Sequence, residues 1–155
     1  MKVYVETILE CPPERVWAEV QTSRLLQEVI YPLLKFTPLP GMAFPEKWQP
    51  DSIVLGSGYA FSFIPLGIHT LRFECIDARK RQITTRESNF FVRQWDHVIS
   101  VNRAPGGSTH YSDEIEIDAG LLTPIVWLYA TIFYRHRQRR WRLIARRLVN
   151  ALARR

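Results

Sequence analysis

An α+β domain, with a curved antiparallel sheet of six or seven strands wrapped around one long C-terminal helix and two short helices after the first strand, is the architecture this sequence predicts. Three observations predict it. Residues 52 to 118 alternate with period two and have only short connections, the pattern of consecutive antiparallel strands. After Ala119-Gly120 the period changes to 3.6, the mark of an amphipathic helix. The 155 residues are 46% hydrophobic, with no repeat, Gly-Ser linker or low-complexity tract, so a single domain over 1-155 with one core is expected.

The elements follow in order. Residues 2 to 10 place Val3, Val5, Thr7 and Leu9 on one side of a strand whose other face is solvated. Cys11-Pro12-Pro13-Glu14 stops it and starts a helix from about Pro13 to Thr22, because proline in a first turn loses no hydrogen bond and glutamate there suits the helix dipole. Val16, Trp17 and Val20 face inward. A second helix, Arg24 to Tyr31, is halted by Pro32. A short strand at Leu34 to Leu39 leads into a loop, Pro38 to Pro50, with four prolines and Gly41.

Five strands are then expected at Ser52–Ile64, Gly67–Asp77, Gln82–Val92, Gln94–Arg103 and Ser108–Asp118. In the closing helix Val126, Ala130, Phe133, Trp141, Ile144, Leu148 and Leu152 share one face. A curved sheet has one face to hide, and this helix is the only long apolar element available to cover it.

Composition excludes several classes. Cys11 and Cys75 lie 64 positions apart with no second thiol near either, so neither a disulfide framework nor a thiolate zinc site can be assembled. No P-loop, dinucleotide-binding glycine pattern, HExxH or Cys–His metal spacing occurs, and the four histidines are dispersed, so no cofactor and no metal is expected. The N-terminus has no secretion-signal run, and the longest apolar stretch, Leu121 to Tyr134, has 14 residues, short of the roughly 20 of a membrane span. A cytoplasmic protein, monomer or homodimer, is the expectation.

The net charge of +6 is unevenly spread. Nine of the 21 basic side chains and none of the 15 acids fall in Arg135 to Arg155, so that segment carries +9 and the rest −3. Arg135, Arg139, Arg142 and Arg146 form one stripe opposite the apolar face. The plain reading is a solvated surface; the alternative is docking on a membrane surface or an acidic partner. Nucleic acid is disfavoured, because the stripe has neither stacking aromatics nor a reading motif.

Strand parity defines candidate polar groups. Trp95, His97, Ile99 and Val101 share a face, as do Tyr111, Asp113, Ile115 and Ile117. The odd-length turn Pro105-Gly106-Gly107 sets Ile99 opposite Asp113 and His97 opposite Ile115, leaving His97 and Asp113 diagonal at about 7–8 Å between backbones. Such a pair suits general-base chemistry with candidates His97 and Asp113; the plain reading is a satisfied polar core contact. His69 shares parity with Leu71, Phe73 and Cys75. Arg137 sits in the middle of the apolar helix face, where it must meet an acid such as Asp113, carbonyls or a ligand anion.

With these elements placed, the chain resembles the START-like (SRPBCC) helix-grip superfamily, the broad group of polyketide cyclases, plant ligand carriers and coenzyme-Q-binding proteins. The resemblance rests on Glu6-Thr7-Ile8 through Pro12-Pro13-Glu14-Arg15-Val16-Trp17, on Trp95-Asp96-His97, on Thr109 to Asp113, and on Ile132-Phe133-Tyr134-Arg135-His136-Arg137. It implies a cavity for a hydrophobic or amphipathic small molecule and no single reaction. The expected walls are Tyr59, Phe61, Phe73, Trp95, Tyr111 and Phe133, with Tyr111, His97, Asp113 and Arg137 orienting the ligand. The apolar turn Phe61 to Ile68 and the Pro38 to Pro50 loop are candidate gates. A cyclase or dehydratase acting on a polyketide-like substrate, with His97 as general base, is the competing reading.

Overall fold

The structure is a computed structural model that describes residues 1–152, Leu152 by its backbone only. Arg154 and Arg155, counted in the cationic segment above, lie outside the described residues, as does the side chain of Leu152.

The chain runs β1 (Lys2–Leu9), α1 (Pro13–Val20), α2 (Ser23–Ile30), β2 (Leu34–Pro38), β3 (Ser52–Ala60), β4 (Ile64–Asp77), β5 (Gln82–Ser88), β6 (Gln94–Arg103), β7 (Thr109–Asp118) and α3 (Thr123–Leu152). The strands form one seven-stranded antiparallel sheet in the order β1-β7-β6-β5-β4-β3-β2. Only β1 is out of sequence, and it closes the sheet by pairing with the last strand. The concave face of the sheet holds α3, and α1 and α2 fill in beside it, burying Val16, Val20, Leu25, Val29 and Ile30.

Local chemistry explains where elements begin and end. Pro13 occupies the first turn of α1, and the Thr22 hydroxyl caps α2 by accepting from the Leu25 amide at 3.2 Å. β5 stops at Ser88, short of the expected Val92, because the Asn89 side chain accepts from the amides of Phe91 at 2.9 Å and Val92 at 3.0 Å and turns the chain. β3 and β4 reverse at Phe61-Ser62-Phe63, earlier than the expected turn. There Phe61 and Ser62 have φ of 50° and 67°, the Phe61 amide donates to the Leu33 carbonyl, and the Ser62 hydroxyl donates to the Pro32 carbonyl, both at 2.8 Å. The β6–β7 turn uses Pro105-Gly106-Gly107, with φ of 72° and 77° at its glycines, and sets Ile99 opposite Asp113 and His97 opposite Ile115 as the parity argument requires.

Two irregularities shape the inner face. A register shift between Phe73 and Cys75 turns Cys75 outward, so His69, Leu71 and Phe73 face inward without it. At Gly56 the Phe36 ring lies where any side chain would stand, and a Cβ there would meet the Thr37 carbonyl oxygen at 2.6 Å. Only glycine lets that ring lie across β3.

Candidate functional site

The first half of α3, the inner faces of β2 to β6 and one side of α2 line a cavity of about 400 Å³. Phe36, Leu71, Val92, Trp95, Tyr129 and Phe133 are among its apolar walls, while Gly58 and Ala60 of β3 leave room by contributing almost no volume. Its polar groups are few: His69, Glu87, Asn89, the edge of Tyr134, and Arg137. Glu87 and Arg137, with Leu26 and Leu71, also line a second space of about 40 Å³ next to His97, Phe73 and Trp48, and so form the partition between the two.

A chain of polar contacts runs through this partition. Asn89 Nδ2 lies 3.4 Å from His69 Nδ1, and His69 Nε2 lies 2.9 Å from Glu87 Oε2. Glu87 Oε1 accepts from the Thr85 hydroxyl at 3.1 Å and faces His97 Nδ1 at 3.8 Å. His97 Nε2 contacts Asp113 Oδ1 at 2.9 Å, and Asp113 also accepts from the Tyr111 hydroxyl at 3.1 Å and from Gln138 Nε2 at 3.3 Å. Arg137 Nη2 donates to the Tyr111 hydroxyl at 3.2 Å and lies 3.8 Å from Asp113, with the guanidinium carbon 5.6 Å from the Tyr134 ring centre. The Arg137 Nε proton, buried at the partition, has no partner among the described residues.

Electrostatics fix most charges in this chain. Burial would raise the Glu87 carboxyl, but contacts from His69 and His97 hold it well below the usual range. Asp113 is likewise penalised by burial and likewise kept low, by the Arg137 charge and by His97 and Gln138. Burial alone would lower Arg137, yet Tyr111, Asp113, Tyr134 and Glu87 push it upward, so the guanidinium stays charged. Burial drives Tyr111 and Tyr134 upward, leaving both phenols neutral. One carboxylate, Glu87, and one guanidinium, Arg137, therefore sit charged at the partition, with the Asp113 carboxylate buried behind them.

The expected site residues separate into groups. Phe61, Trp95, Phe133 and Arg137 line the larger cavity. Phe73 and His97 line only the smaller one. Tyr111 and Asp113 line neither; Tyr111 is fully buried against the Trp141 ring, with centroids 5.9 Å apart. Tyr59 is a correction of another kind. The inward positions of β3 are Gly56, Gly58 and Ala60, so Tyr59 stands on the opposite face and contributes no wall.

Of the two candidate gates, the β3–β4 turn carries Phe61 and Leu66 into the lining, with Phe61 packed edge-on to Tyr129 at 5.8 Å. The Pro38 to Pro50 loop instead packs down on the sheet, Phe44 stacking on Phe36 and Trp48 on Phe73, both at 4.8 Å.

Sequence reasoning missed Glu87, Asn89 and Gln138. Glu87 carried a readable signal, since it shares parity with Ile83 and Thr85 on the inner face of β5. Asn89 carried none, because its place depends on the turn it makes.

Comparisons with known proteins agree with this geometry. A family model described as a domain of unknown function (DUF8410) matches residues 7–145, and the sequence has no significant match among curated proteins. A START superfamily protein from Mycobacterium smegmatis superposes with a TM-score of 0.71 at 13% identity, covering 95% of this chain and 98% of that one. Protein MLL2253 from Mesorhizobium loti gives 0.71 at 14%, covering 95% and 98%, and protein CV1439 from Chromobacterium violaceum gives 0.71 at 11%, covering 93% and 96%. At these identities the likeness establishes the fold alone, a START-like helix grip. With the family model spanning most of its length, the chain belongs to the DUF8410 family and carries that family's domain on a START-like fold.

Proposed function

We propose that the protein binds one elongated, mainly apolar small molecule, lipid-like or polyketide-like, with its polar end at the Glu87–Arg137 partition. The observation that carries this reading is the cavity itself: about 400 Å³, walled by aliphatic and aromatic side chains, with convergent polar groups confined to a few positions. Ligand pockets typically hold 300–1,000 Å³ with that distribution of chemistry.

The charges favour an uncharged polar end, such as a hydroxyl or carbonyl, over an acid. Arg137 has its counter-ion in Asp113 at 3.8 Å, and a second carboxylate, that of Glu87, lines the same cavity and would repel an anion there. Both Arg137, with its unpartnered Nε proton, and the Glu87 carboxylate belong to the lining of this cavity, a donor and an acceptor that suit such a group.

The cyclase or dehydratase reading has less support. His97 faces Asp113 through one ring nitrogen and Glu87 through the other, and it lines only the 40 Å³ space. A general base must reach its substrate's proton within about 3 Å or through one water.

Native mass spectrometry of freshly purified protein, followed by titration with an apolar fluorescent probe, tests the binding reading. A co-purifying small molecule, or probe binding that Ala60→Phe abolishes by occupying the cavity, is expected. Equal probe binding by wild type and Ala60→Phe, with no bound molecule in either, would overturn it.

A further inference from the structure

The cavity mouth is surrounded by side chains that an ordinary protein surface would not present together. Phe61 and Phe91 line the cavity and are themselves exposed, and beside them stand Phe63 (74% exposed) and Phe90 (88%). At the start of α3, Leu121 (100%) and Ile125 (70%) complete the rim, and Ile125 again lines the cavity. Three separate segments, the β3–β4 turn, the β5–β6 loop and the entry to α3, thus bring uncovered apolar groups to one opening. Such clustering marks an interaction surface.

On α3 this rim continues into a second pattern. Ile125, Leu128 and Ile132, then Arg135, Arg139, Arg142 and Arg146, recur at steps of three and four and are all exposed. At 100° per residue they fall in one arc of about 100°. The outward face of the helix is therefore apolar beside the mouth and mainly cationic beyond it, where the exposed Leu143 is the one large apolar side chain in the arc among the described residues. Among the described residues, Arg135, Arg139 and Arg142 have no carboxylate within 4 Å, and Arg146 reaches Glu10 at 3.5 Å with both side chains well exposed.

We propose that this face docks the protein on an anionic lipid bilayer, the rim entering the acyl boundary while the arginines meet lipid phosphates. Charge complementarity selects that occupant. In a second copy, parallel α3 faces would set arginine on arginine, and antiparallel faces would bury arginine against Ile125 and Leu128. A nucleic acid or an acidic protein would satisfy the arginines and leave the rim wet. An anionic bilayer alone presents a charged skin over an apolar interior, and an amphipathic surface with cations beside its apolar face matches both layers. The mouth would then open toward the acyl chains. This inference stands whether or not the cavity takes the ligand proposed above, because the face is built from side chains outside it as well as at its edge.

Co-sedimentation with vesicles of phosphatidylcholine alone and of phosphatidylcholine with phosphatidylglycerol, at low and high salt, tests it. Wild type is expected to bind the anionic vesicles and to weaken with salt. Arg135→Gln/Arg139→Gln/Arg142→Gln should weaken binding about 100-fold, at roughly 1 kcal/mol per cation near an anionic surface. Phe63→Ser/Phe90→Ser should weaken it about tenfold or more, with unchanged far-ultraviolet circular dichroism in both variants. Four results would overturn the proposal: no binding of wild type to anionic vesicles at low salt; undiminished binding by the Phe63→Ser/Phe90→Ser variant; a dimer in solution that this variant dissociates; or an RNA complex that anionic vesicles fail to compete.

Discussion

The two halves of α3 meet the same sheet and produce opposite interiors. Beyond Arg137 the helix is packed solid: Trp141 and Ala145 are fully buried, Ile144 nearly so, and Trp141 lies edge-on to Tyr111. Before Arg137, Val126, Tyr129 and Phe133 stand over Gly58 and Ala60 with about 400 Å³ between them. Large side chains meet large ones at the closed end, and a large wall meets small residues at the open end. The polar chain from His69 to Asp113 lies at the junction, where each member has a protein partner. Stability is therefore concentrated beyond Arg137 and ligand capacity before it.

Truncations at the two ends give the largest test of that contrast. Trp141→Ala should cost about 3–5 kcal/mol, because a large buried side chain is lost where neighbours cannot close the gap. Asp113→Ala should cost a similar 3–5 kcal/mol by leaving Arg137 buried without its counter-ion. Leu66→Ala, on the cavity wall, should cost less than about 1 kcal/mol, since its surroundings are already open. Urea midpoints decide it: equal losses for Leu66→Ala and Trp141→Ala would erase the distinction between the ends.

How far this contrast could be read from sequence follows from what each signal encodes. The β6–β7 register was legible because turn length and strand parity are discrete, and they led directly to the His97–Asp113 contact. Arg137 was legible as an anomaly on an apolar helix face, and the structure pairs it with Asp113. The hollow was harder, because periodicity records which face is inward and not how much of it is filled. An aromatic such as Tyr59 reads as a wall in the sequence, yet the space comes from the smallness of Gly58 and Ala60 on the opposite, inward face of β3. Parity alone puts Cys75 on the inner face with Phe73, but a bulge within β4 turns it outward, and nothing in the local sequence announces that bulge.

Acid should separate the junction from both ends. Glu87 and Asp113 have folded-state pKa values below their ordinary 4.5 and 3.8. On acidification the unfolded chain takes up protons near those ordinary values while the folded one does not. Stability contributed by the pair is therefore present above about pH 4.5 and lost as pH falls below it, with a limiting slope of about 1.4 kcal/mol per pH unit for each group. Asp113→Asn and Glu87→Gln should each flatten the acid limb of a stability–pH curve by up to that slope. A limb unchanged in both variants would show that neither carboxylate is depressed in the folded protein.

Filling the open end should move stability much less than it moves binding. Ala60→Phe places a ring into existing space, so a shift within about 1 kcal/mol is expected beside loss of the fluorescent probe. A loss of several kcal/mol would mean that the wall around Ala60 is as rigid as the Trp141 end and cannot accept volume.

The smallest effect belongs to the rim. Phe63 and Phe90 are largely exposed, and the Phe90 ring lies edge-on to its neighbour Phe91, with ring centroids 5.2 Å apart. Replacing either by serine removes little buried area, so folding stability should change by no more than about 0.5 kcal/mol. That near-neutrality carries the argument: a large aromatic contributing nothing to the fold, placed beside an opening into an apolar interior, is accounted for by what the opening meets. A thermal unfolding midpoint lowered by more than a few degrees in Phe63→Ser would place this side chain in the core's economy instead, and the rim would then belong with Trp141 on the structural side of the comparison.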